Sequence, residues 1–231
     1  MNIIINGGSR GIGKEVVLTL AKDKNNQILV TGRNEVLLSE LQQNCQNENV
    51  SYLTMDISLF EYEAESVKDQ IYSRFSRVDI LINLAGLLVV KDFLKVSVQE
   101  GRKMMETNFF GPAELIKLIV PLMPAGSHIL NISSMGGFQG SSKYRGLSYY
   151  SASKAALSCL TECLAGELME EGIIVNCLAL GSVQTEMFEA AFPGYKAPLG
   201  PGEMAEFISY FALHGGRFFN GKILPVAVNN P

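Results

Sequence analysis

Short runs of apolar, β-branched residues alternate along this chain with longer stretches in which apolar positions recur every three or four residues. The first pattern reads as strand and the second as amphipathic helix. Strands are predicted at 2–6, 27–31, 50–54, 78–83, 127–133, 173–178 and 222–227, and helices at 11–23, 34–45, 59–75, 97–122, 150–170 and 202–213, with a shorter one at 185–191. Several strands are apolar nearly throughout, as in sheets covered by helices on both faces. The alternation therefore predicts an α/β, doubly wound fold with a parallel sheet of about seven strands. Segment 139–148 is rich in Gly and Ser, and 192–202 carries three of the eight prolines; both read as loops.

Composition narrows the picture. With 231 residues, 47% hydrophobic and 18% charged, the chain suits one domain spanning residues 1–231. A net charge of -4 without a Lys/Arg cluster disfavours nucleic acid and membrane surfaces as partners. The apolar runs 115–123 and 78–90 are interrupted by Lys117 or by Asp79 and Asn83, and are too short to cross a bilayer. Ile3, Ile4 and Ile5 come almost first, without the basic start of a signal peptide, so a cytoplasmic location is expected. Cys45, Cys159, Cys163 and Cys177 have no Cys-x-x-Cys spacing, and only His128 and His214 could assist them with a metal. No disulfide or metal site is expected, and Cys159 and Cys163, although on one helical face, are expected as buried thiols.

Candidate chemistry begins after the first strand, where Asn6 is followed by Gly7, Gly8, Ser9, Arg10, Gly11, Ile12 and Gly13 at the start of a helix. Glycines there permit a tight turn and close approach of a pyrophosphate, while helix amides and dipole face the anion. This makes the fold a dinucleotide-binding Rossmann fold. The second strand ends in Thr31, Gly32, Arg33 and Asn34, without the acid that accepts a ribose 2′-hydroxyl. Arg33, with Arg10 as a second cation, suits a 2′-phosphate instead, so NADP(H) is preferred over NAD(H).

Tyr150 and Lys154 are four residues apart and lie on one face of a helix, where an ammonium can lower a phenol's pKa and bring it closer to useful proton transfer. The chain also has Asn83, Leu84, Ala85 and Gly86 after the fourth strand, Asn108 after Thr107, Ser133 and Ser134 after the fifth strand, and Val175 and Asn176 leading to Gly181 and Thr185. In that order these motifs resemble the short-chain dehydrogenase/reductase family in its compact, single-domain form, from Ile3 to about Val226, and most resemble its 3-oxoacyl-carrier-protein reductase-like members.

The resemblance implies an oxidoreductase that reduces a ketone or aldehyde to an alcohol with NADPH. Tyr150 would be the general acid, and Lys154 would hold the nicotinamide ribose and depress the tyrosine's pKa. Ser134, which matches the family's Ser-x-x-Gly, would bond the substrate oxygen while Ser133 is structural. Asn108 would interrupt its helix and hold a water in a proton relay to Lys154. For the cofactor it implies Gly7, Ser9, Arg10, Ile12 and Gly13 at the phosphates, Arg33 at the 2′-phosphate, and Asp56 and Ile57 against adenine. Asn83, Ala85 and Gly86 would follow the adenosine ribose, and Thr185 would meet the carboxamide. Asp56 also suits the N-cap of the following helix. Leu87, Phe138, Tyr144, Val183, Met187, Phe188 and Phe192 are candidates for an apolar substrate pocket. The family often forms homodimers or homotetramers through the helices at 97–122 and 150–170 and the last helix and strand.

Some positions depart from the family. Asn6 replaces a usual threonine and is expected to brace the glycine loop through its amide. Leu180 replaces a proline before Gly181, the loop holding Lys143, Tyr144 and Arg145 is slightly long, the chain after Thr185 is short, and 226–231 lacks a closing Asp-Gly-Gly. An alcohol or sugar-alcohol dehydrogenase and a non-catalytic NADPH-sensing regulator are the alternative functions.

Overall fold

The computed structural model describes residues 1–228, so the last part of the closing segment, 229–231, lies outside the described residues. Seven parallel strands form one sheet: β1 (Asn2–Asn6), β2 (Gln27–Gly32), β3 (Val50–Thr54), β4 (Ile80–Asn83), β5 (His128–Ser134), β6 (Ile174–Leu180) and β7 (Ile223–Val226), in the order β3-β2-β1-β4-β5-β6-β7. The helices are α1 (Gly11–Leu20), α2 (Glu35–Asn44), α3 (Phe60–Tyr72), α4 (Val98–Met105), α5 (Gly111–Ile119), α6 (Ser148–Glu167), α7 (Glu186–Ala191) and α8 (Pro201–His214). Strand order reverses between β1 and β4, and in such sheets ligands bind beyond the carboxyl ends of the strands at that point.

Alternation along β1 shows why both faces are covered. Ile3 and Ile5 join a core with Val16, Val17, Leu38 and Ile208, whereas Ile4 joins one with Ile71, Leu115 and Val175. A strand with apolar residues on both sides must be sandwiched.

 Ile3, Ile4 and Ile5 are all fully buried.

The helix predicted at 97–122 is divided. A capping box at Ser97 and Glu100 starts α4, one π turn spans Glu106–Phe110, α5 follows, and a 3-10 turn ends the segment at Leu122. The other elements lie within a few residues of expectation, with α6 and α8 taking Ser148 and Pro201 from the ends of the predicted loops. Cys159 and Cys163 are exposed, correcting the expectation of burial. The face of α6 that packs on the sheet carries Lys154, Leu157, Ser158, Thr161 and Ala165, and the two cysteines point away from it.

A buried polar thread crosses the sheet near its carboxyl edge. Thr31 Oγ1 donates to Asn6 Oδ1 (3.1 Å), Asn6 Nδ2 to Asn83 Oδ1 (3.4 Å), Asn83 Nδ2 to Asn131 Oδ1 (2.9 Å), and Asn131 Nδ2 to Thr161 Oγ1 of α6 (3.0 Å). Such a satisfied network fixes the strand ends that carry the cleft. Asn6 thus braces neighbouring strands rather than the glycine loop.

Candidate active site

A cleft of about 690 Å³ opens over the carboxyl ends of the strands. At one end the glycine loop is held by packing that excludes side chains. Gly7 has φ +92°, and a Cβ on Gly13 would stand 2.1 Å from the Gly7 carbonyl oxygen. Gly7, Ser9, Arg10, Ile12 and Gly13 line the cleft with Arg33, Ile57, Ala85 and Gly86, which suits a phosphate-bearing dinucleotide. Asp56 stands behind this wall. Its carboxylate caps the following turn through Ser58 N (3.0 Å) and lies 3.8 Å from Arg33 Nη1.

At the other end Ser134, Tyr150, Lys154 and Thr185 share the cleft. Ser134 ends β5 and its Oγ accepts from Gly136 N (3.1 Å), while Ser133 Oγ donates to the Lys154 carbonyl (2.9 Å) and so ties β5 to α6. Burial pushes the Tyr150 phenol up, and a hydrogen bond with Ser134 opposes it. Lys154 Nζ donates to the Ile132 carbonyl (2.8 Å), and burial lowers its pKa to about 8. Burial sets the direction of the Tyr150 shift, upward rather than towards the depression expected from Lys154.

Asn108 lies in the π turn, fully buried behind the cleft. Its Oδ1 accepts from Leu87 N (2.7 Å), and its Nδ2 donates to Leu87 O (2.9 Å) and Ser153 Oγ (2.9 Å). Ser153 Oγ in turn donates to the Tyr150 carbonyl (2.7 Å), a link that sequence reasoning missed although Ser153 sits inside the Tyr150 to Lys154 stretch.

Asn83 does not reach the cleft, because the polar thread consumes its side chain. Tyr144, Val183, Met187, Phe188 and Phe192 line it, whereas Leu87 and Phe138 do not; Leu88, Leu147 and Tyr195 take part instead. With Leu87 clamped by Asn108, the next leucine turns inward. Leu180 ends β6 in register with Ser134 and Val226.

The family model described as short chain dehydrogenase matches residues 1–196. The chain belongs to the short-chain dehydrogenase family. An uncharacterized oxidoreductase of Staphylococcus saprophyticus is 31% identical over 212 residues, covering 90% of this chain and 88% of that protein. A short chain dehydrogenase from Salmonella enterica serovar Typhi matches with TM-score 0.87 and 26% identity over 97% of this chain and 94% of its own. A short chain dehydrogenase from Burkholderia cenocepacia, solved in complex with NADP, has the same fold (TM-score 0.85, 22% identity, 97% and 95% covered). This short-chain dehydrogenase is an oxidoreductase by family. Among its described residues no helix is long and apolar enough to cross a membrane.

Proposed function

We propose that this chain reduces a ketone or aldehyde to an alcohol with NADPH. The observation that carries the reading is one cleft with Arg10 and Arg33 at one end and Ser134, Tyr150 and Lys154 at the other. The bound nicotinamide supplies the hydride. Tyr150, kept protonated by burial, gives its phenolic proton to the carbonyl oxygen, and Ser134 Oγ donates a hydrogen bond to the same oxygen. Lys154 places a cation nearby that favours the tyrosinate left behind. Asn108 acts through Leu87 and Ser153 to fix the backbone on both sides of this group. Both hydrogens of its side-chain amide are taken up by Leu87 O and Ser153 Oγ, so the side chain serves this positioning role.

Arg10 and Arg33 select the 2′-phosphate. The apolar wall of Tyr144, Met187, Phe188 and Phe192 favours a hydrophobic or acyl substrate. Exposed Phe110, Phe207, Tyr210 and Phe218 support assembly into a homodimer or homotetramer, which light scattering checks. The functional test is NADPH consumption against ketones, aldehydes and acyl thioesters with NADH in parallel. Turnover with NADPH supports the reading, and equal efficiency with NADH sinks the cofactor assignment.

A further inference from the structure

The segment 144–147 has a second side. Tyr144, Arg145 and Leu147 line the cleft and also a neighbouring cavity of about 630 Å³. That cavity is rimmed by Phe93 and Leu94, both exposed, and its charged lining is Lys95, Lys143 and Arg145 against Asp92 alone. The excess is positive in a chain of net charge -4.

One carboxylate serves two of these cations. Asp92 accepts from Arg145 Nε (2.7 Å) and Nη2 (3.0 Å), and Lys95 Nζ lies 3.7 Å from it. Among the described residues, Lys143 Nζ donates only to neutral oxygens, Phe138 O (2.6 Å) and Ser141 Oγ (2.8 Å). A concave surface with unmatched cations attracts an oxyanion, and its apolar rim suits the chain that carries one.

We propose that this cavity holds a carboxylate or phosphate at the far end of the carbonyl substrate, whose apolar body crosses Tyr144 and Leu147 from the cleft. The proposal rests on the reductase reading of the cleft.

The test measures kcat/KM for an unbranched ketone and for its ω-carboxylate and ω-phosphate of equal length. Both charged forms are expected to be favoured by about tenfold, through KM, with the advantage shrinking as salt rises. The larger advantage identifies carboxylate or phosphate as the better fit. Lys143→Met brings the ratio of charged to neutral substrate towards one, and Asp92→Asn raises it by releasing Arg145 and Lys95. A wild-type ratio of one, or a ratio unaltered by Lys143→Met, overturns the proposal. If no carbonyl compound is reduced, the reductase reading fails, and calorimetry with hexanoate, hexyl phosphate and hexanol judges the cavity alone. Binding of the anions that weakens in Lys143→Met supports it; equal binding of hexanol, or no binding, overturns it.

Discussion

At the nucleotide end of the cleft, backbone meets backbone with no room for a Cβ on Gly7 or Gly13, whereas the substrate end is closed by long side chains from exposed loops. The first end is fixed by buried packing. The second depends on contacts such as Arg145 with Asp92, which solvent weakens. The difference teaches that cofactor placement tolerates little change, while the loops can alter substrate choice without disturbing the sheet.

The sharpest way to separate the two ends is at the chemistry between them. Tyr150→Phe removes the proton donor and is expected to lower kcat by about 10² to 10⁴ while NADPH still binds, as steady-state rates and cofactor titration would show. Gly13→Ala forces a Cβ against the Gly7 carbonyl, and a loss of about 1–3 kcal/mol in chemical denaturation is expected. A comparable insertion at Gly140, where no atom lies within 4 Å, removes no packing but strains a φ of +86°. Arg33→Ala should raise the KM for NADPH about tenfold and leave NADH unchanged, since a charged hydrogen bond is worth about 1.5–3 kcal/mol.

Reduction needs the protonated forms of Tyr150 and Lys154. Activity should therefore be flat at lower pH and fall as pH rises through about 8, where Lys154 loses its charge. The smallest effect lies far from the cleft. Burial lowers the pKa of His128, whose Nδ1 lies 3.0 Å from the Ala212 carbonyl. The folded state therefore resists a proton that the unfolded chain accepts, so stability is lost as pH falls below the ordinary histidine value of about 6.5. His128→Gln should flatten that slope in thermal melts.

Much of the nucleotide end was legible because its requirements are local. A glycine loop between a strand and a helix, and Arg33 after β2, can be read from neighbours in sequence. The rest depended on distant partners. Leu88 rather than Leu87 faces the cleft because Asn108, 21 residues away, clamps Leu87. The side chain of Asn83 is taken up by Asn6 and Asn131, and the helical period alone does not show the π turn at Asn108, where the family resemblance implied an interruption. Cys159 and Cys163 were misplaced because a shared helical face does not say which way the face turns.

The most direct measurement follows deuterium from labelled NADPH into the alcohol product. Wild-type protein is expected to yield one deuterium on the carbinol carbon, with transfer slowed by at least a hundredfold in Tyr150→Phe. NADPH binding without transfer to any carbonyl, or equal transfer by the Tyr150→Phe protein, would contradict the account.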